Sequence, residues 1–475
     1  MARALAPSYP EVLHTNPAAA TYTARFGRAE PMTHSAPKPQ LHVGHAMAVC
    51  VGMVIGAGIF KATPQVAANV DGEAMLALAW LIGGAVSIVG ALCFAELAST
   101  YPDAGGDYFF LRRAWGERVG YVFAWSRFAV IHTGSTAALA FTFGDYVNEL
   151  LQWGTHGSAA IGACAVIALT LLNLRGVAVG VGTQLGLMVV VIGGMLAVGA
   201  AGAWMAATGA SAPVPVASAP AASAPAFGLA MIFVLFAYGG WSDAATLSSE
   251  MKDSRRGMLV ALAGGMALVC TLYLLVNWAF VRGLGLAGLA ASNAPAADLM
   301  RHAFGPVAQV AIVAVVAITS ITVMNALLIV GARTTYAACR DLPALRGLAT
   351  WDGARGVPAR AVIAQSSVAL ALVAFGAWTR GGFSTMIDYV TPVYWLFLVM
   401  SGIAVIVLRM REPDRPRPFK VPLYPLLPVL FCLSSGYLLY SSVAYVRTGA
   451  MVGVGVLVIG AVLITLLMRR GGRSA

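Results

Sequence analysis

Two glycine-broken stretches hold the groups in this sequence best suited to bind a small charged molecule. VGMVIGAGIF, Val51–Phe60, sets Gly56, Ala57 and Gly58 inside one apolar run, and FAYGGW, Phe236–Trp241, sets Gly239 and Gly240 inside another. Glycine adopts backbone conformations that end a helix, and it has no side chain to bar a ligand. If the first run unwinds at these residues, its outer half opens with unpaired N–H groups near Gly58 and Ile59. These suit a carboxylate, aided by the positive end of the helix dipole. Its inner half ends in carbonyls near Met53, Val54 and Ile55, which suit an ammonium group. The second break adds carbonyls of Phe236 and Ala237. Both charges of a zwitterion are then met by backbone, each charge-assisted hydrogen bond contributing about 1.5–3 kcal/mol. Close packing is the competing reading, because Gly52 and Gly56 form a small-xxx-small pair. The first stretch alone supports either reading. Two matched breaks favour a transport site.

Other residues qualify that reading. Phe236, Tyr238 and Trp241 flank the second break and are expected to wall a pocket, with Phe236 as its gate, or to pack in the core. Charges inside membrane segments are functional by default. Asp243 either takes a proton or cation or reaches a neighbouring helix as a structural carboxylate. Glu96, Arg127 and Glu250 lie towards one end of their segments, where structural or gating pairs are expected. Six scattered cysteines lack metal-ligand spacing and read as small buried apolar residues. The sequence contains no GxxxxGK, HExxH or GxSxG, so neither an enzyme, a metal nor a cofactor is expected.

These residues must be positioned by membrane helices. The 475 residues are 59% hydrophobic and 10% charged, with a mean hydropathy of +0.80. A soluble chain carries roughly a quarter charged residues. The apolar runs are continuous rather than alternating, which predicts helices rather than a barrel. Twelve spans are expected near 44–66, 75–99, 119–148, 158–173, 183–207, 228–248, 258–280, 305–335, 360–377, 384–408, 422–446 and 450–468. Residues 1–43 are expected to be a disordered cytoplasmic tail without a cleavable signal, in which Met32 is an alternative start. A Pro-rich stretch over 208–227 reads as an external loop. With the N-terminus inside, 24 of the 30 Lys and Arg residues fall in cytoplasmic segments, five fall outside, and Arg127 lies within a span. That asymmetry predicts cytoplasmic termini, and it assigns the net charge of +11 to topology rather than nucleic acid.

Five stretches together resemble the amino acid–polyamine–organocation permeases, in particular the L-type amino acid transporter branch and its bacterial relatives. They are VGMVIGAGIF, the run Gly90–Gly116, FAYGGW with Ser248–Asp253, Gly331–Asp341, and EPDRPRPFKVPLYP at Glu412–Pro425. The resemblance implies an all-α, LeuT-like five-plus-five inverted repeat over 44–207 and 228–408, with two further helices in 409–475. It implies a carboxylate on Gly56, Ala57 and Gly58, and an amino group on carbonyls of Val54 or Ile55 and of Phe236, Ala237 and Gly239. Ser242 falls at the position that tunes side-chain selectivity. Two departures matter. Ala57 replaces the usual polar residue, which leaves only its N–H, and Val191 stands where many relatives carry a lysine. Thr319 and Ser320 are then candidate hydroxyls for a sodium ion, and Asp243 for a proton.

The expectation is a secondary carrier of neutral amino acids in a cell membrane. Its rivals are an amine, polyamine or cationic amino acid carrier, and a non-transporting sensor or partner-dependent subunit.

Overall fold

The computed structural model describes residues 43–102, 106–176, 181–209, 224–243, 254–341, 345, 347–352, 357–444 and 448–471. The tail, most of the 208–227 loop and Glu250 lie outside them. The described chain is helical. An isolated bridge between Asp352 and Val357 is the β pairing found there. Water is absent from a bilayer core, so each backbone N–H must bond within its own helix, and the long apolar runs comply.

Among the described residues, nine helices are long and apolar enough to cross a membrane. Three expected spans fall outside that count: spans one and six are broken, and span three, which is also interrupted, is too polar over His132–Leu151. Span one divides into α1 (Val43–Val54) and α2 (Gly58–Ala67). Span three begins as α5 (Glu117–Ser126), passes through a π turn at Arg127–Ile131 and continues as α6 (His132–Leu151). Span six runs as α9 (Ala224–Ala237) and then turns through Tyr238–Asp243. Before them come α3 (Glu73–Thr100) and α4 (Asp107–Trp115). Between α6 and α9 lie α7 (Gly157–Leu174) and α8 (Val181–Thr208).

The second half continues with α10 (Ser254–Leu259), a π turn at Val260–Gly264 and α11 (Gly265–Ala291). A short α12 (Pro295–Phe304) leads into α13 (Pro306–Asp341). The chain ends with α14 (Ala359–Trp378), α15 (Phe383–Arg411), α16 (Leu426–Ala444) and α17 (Thr448–Gly471).

The core that holds the two breaks together is aromatic. Trp80, Tyr238 and Tyr273 form a fully buried triad with ring centroids 5.0–5.7 Å apart. Trp241 packs edge-on to Phe94 at 5.1 Å, and a Cβ on Gly90 would stand 2.6 Å from its ring. Tyr238 and Trp241 are therefore core residues and do not wall the cavity; burial of large apolar rings outweighs any pocket role. Glu96 is structural as well. It accepts hydrogen bonds from Arg409 and, at 2.7 Å, from the Val421 N–H, while Arg417 Nε lies 3.6 Å away. A buried carboxylate needs such partners.

Candidate functional site

The first break spans Ile55–Ala57, between α1 and α2. α2 begins at Gly58 with no side-chain cap, so its opening N–H groups have no partner from a capping side chain. The second break presses against the first. Gly240 adopts φ +100°, a conformation that penalises any Cβ, and a Cβ there would stand 2.5 Å from the Met53 carbonyl oxygen. Glycine is thus required at 240 by both torsion and contact. At Gly58 an added Cβ would meet Ala237 Cα at an ordinary 3.6 Å, so the absence of a side chain there is not forced by packing.

Tyr273 joins the two breaks. Its hydroxyl lies 3.0 Å from the Val54 carbonyl and 3.0 Å from the Ala237 carbonyl. Val54 also accepts the Gly56 N–H at 2.7 Å, and Phe236 accepts the Gly239 N–H at 3.0 Å. Three of the carbonyls expected for an ammonium group therefore already have partners within the protein. Nothing in the sequence marked Tyr273, because a tyrosine in an apolar helix reads as core.

A cavity of about 190 Å³ opens at this junction. Of the expected site residues, Val54, Gly56, Gly58, Phe236, Ala237, Gly239 and Asp243 line it. Ile55, Val191 and Thr319 line a separate cavity of about 20 Å³, and Ser242 lines a third of about 30 Å³. Ala57 and Ser320 are fully buried and line none of the three. Thr319 and Ser320 donate their hydroxyls to their own helix, at Val315 and Val316. Val323, Ala326, Leu327 and Val330 of α13 supply an apolar wall. Phe236 packs edge-on to Phe383 at 6.3 Å.

The polar wall comes from span three. Arg127 pairs with Asp243 at 2.5 Å, with side chains 7% and 32% exposed, and it also contacts His132. His132, Ser135 and Asp243 all line the main cavity. The structure thus joins Arg127 and Asp243, which the sequence placed in different spans without pairing them. His132 and Ser135 were missed; no spacing rule for α-helices singles them out.

On the other side of the site, Lys61 of α2 pairs with Asp145 of α6 at 2.6 Å and donates to the Asn293 carbonyl at 2.9 Å. Tyr146 donates to the Phe60 carbonyl at 3.1 Å and accepts the Ala296 N–H at 3.4 Å. α2 is thereby tied to α6 and to the entry of α12.

The sequence that builds these two broken helices is similar to known proteins over 85% of the chain. The serine/threonine exchanger SteT of Bacillus subtilis (strain 168) is 27% identical over 414 residues, which cover 85% of this chain and 91% of the exchanger. The mouse b(0,+)-type amino acid transporter 1 is 27% identical over 418 residues, 85% of this chain and 83% of the transporter. The human large neutral amino acids transporter small subunit 2 is 27% identical over 423 residues, 85% of this chain and 76% of that protein. The family description "amino acid permease" matches residues 42–468, both breaks included, and the chain belongs to that family.

Proposed function

We propose that this permease moves neutral amino acids across a cell membrane by alternating access, through twelve spans arranged as two inverted five-helix repeats plus two helices, with both termini cytoplasmic. The observation that carries the reading is the meeting of the uncapped start of α2, the end of α1 and the end of α9 at one cavity. Helix dipoles place positive potential at Gly58 and negative potential at Val54 and Ala237, which matches a zwitterion. The names of the relatives agree: one exchanges serine and threonine, and another takes large neutral amino acids. An amine carrier fits less well, because Asp243, the carboxylate beside the break, already holds Arg127.

Counterflow in proteoliposomes with labelled neutral, cationic and anionic amino acids tests the reading. Neutral substrates are expected to exchange, and a preference for arginine or glutamate sinks the neutral assignment. Gly58→Leu is expected to insert and fold yet lose substrate binding by at least tenfold; unchanged affinity returns the first break to mere packing. The word "subunit" in one relative's name favours a second arrangement, in which a partner chain is needed. Purified protein that binds an amino acid but transports none supports it. Thr319 or Asp243 serves ion coupling if uptake responds to a sodium or proton gradient imposed separately.

A further inference from the structure

The π turn of span three builds a polar feature that recognition of the zwitterion leaves unused. Residues five apart in an α-helix point about 140° apart. The extra residue of the π turn at Arg127–Ile131 brings Arg127 and His132 back into contact. Arg127 donates from Nε to His132 Nε2 at 3.1 Å, and its Nη2 lies 2.8 Å from the same atom. A guanidinium offers donors only, so His132 Nε2 must accept, and the neutral ring carries its proton on Nδ1. That Nδ1 is buried and has no hydrogen-bond partner among the described residues. The side chain, 1% exposed, lines the main cavity beside Gly56, Gly58 and Asp243. Asp243 holds Arg127 in turn, which fixes the ring: turned over, it would set Cε1–H in place of the accepting Nε2 against the guanidinium.

We infer that the His132 Nδ1–H donates to an acceptor oxygen on the substrate's side chain, so that the preferred substrates are neutral amino acids bearing a hydroxyl or carboxamide. The inference rests on the permease reading and sharpens it. The neutral ring and the Arg127–Asp243 pair add no net charge to this wall. Arg127, the cation of the adjoining small cavity, is already paired with Asp243, so this wall offers a carboxylate side chain no cation of its own.

Threonine and valine differ by a hydroxyl in place of a methyl, which makes the pair a direct probe. In proteoliposomes of the full chain, kcat/KM for threonine should exceed that for valine by about tenfold, the ratio one hydrogen bond gives. His132→Phe should bring the ratio to within about twofold. A wild-type ratio near one, or a ratio that His132→Phe leaves unaltered, overturns the inference. If the Phe variant does not fold, His132→Asn and His132→Gln decide. Asn keeps a donor near the Nδ1 position and should retain the preference, whereas Gln places its donor near Nε2 and should lose it; equal ratios overturn the inference. Uptake of no amino acid by the wild type instead removes the permease reading itself, and this inference with it.

Discussion

At the scale of single residues, Tyr273 does work that side-chain inventories miss. One hydroxyl faces two carbonyls on different broken helices. Without it, a buried carbonyl loses its partner at a cost of about 1–3 kcal/mol. Tyr273→Phe is therefore expected to lower the thermal midpoint of the purified protein. A substrate ammonium can then take over those carbonyls, so substrate should raise the midpoint of the variant more than that of the wild type. Equal stabilisation by substrate in both proteins counts against a shared carbonyl site. The glycines of the two breaks were legible in the sequence because a missing Cβ is a local property. Gly240, with its positive φ and its contact with Met53, shows why such a residue is required. Tyr273 was not legible, since its meaning lies in two carbonyls 219 and 36 residues away.

At the scale of elements, the interruptions matter more than the helices. Continuous apolar runs were readable from composition, and so were their approximate ends. The π turn at Arg127–Ile131 was not, because α-helical periodicity sets Arg127 and His132 on different faces and only an inserted residue reunites them. Arg127 could be read as a charge in a span, but its Asp243 partner could not. Asp107, at the start of α4, belongs to the same neighbourhood. Burial pushes its carboxyl up to about 7, against the lowering effect of Arg127 and with a smaller upward push from Asp243. A carboxyl raised from about 4 when unfolded stabilises the fold fully at low pH, and that contribution is lost as the pH rises through about 7. Asp107→Asn should accordingly match the wild type near pH 4 and become the more stable protein above pH 7. The gap is at most roughly 4 kcal/mol, read as a difference in thermal midpoints. A gap independent of pH would show that the charge is not the cause.

At the scale of the whole molecule, ion pairs tie helices together on both sides of the site, Arg127–Asp243 on one and Lys61–Asp145 on the other. Lys61 reaches Asp145 and the Asn293 carbonyl, and Tyr146 reaches the Phe60 carbonyl, so α2 cannot leave α6 without breaking both. Lys61→Met removes the cation and should shift the population towards a state open on that side. With the native cysteines replaced and Asn293→Cys introduced, maleimide labelling should accelerate by about tenfold if the pair favours closure by ~1.4 kcal/mol. Labelling at the wild-type rate would rule the pair out as a latch. Lys61 was readable only as one of the 30 Lys and Arg residues; its role depends on α6 and the α12 entry, which a sequence does not bring together.

The bridge from Tyr273 to Val54 also bears on how the protein is made. The two residues are 219 positions apart. At a synthesis rate of roughly 5–20 residues per second, span one leaves the ribosome about 10–40 s before its partner exists. Unpaired backbone groups cannot sit in lipid for that time without a cost of several kcal/mol each. The first segment therefore enters the bilayer as an unbroken helix, or waits beside water and the insertion machinery. The Tyr273 hydroxyl can reach the Val54 carbonyl only once α11 has been made, so this bridge across the cavity is expected to form late.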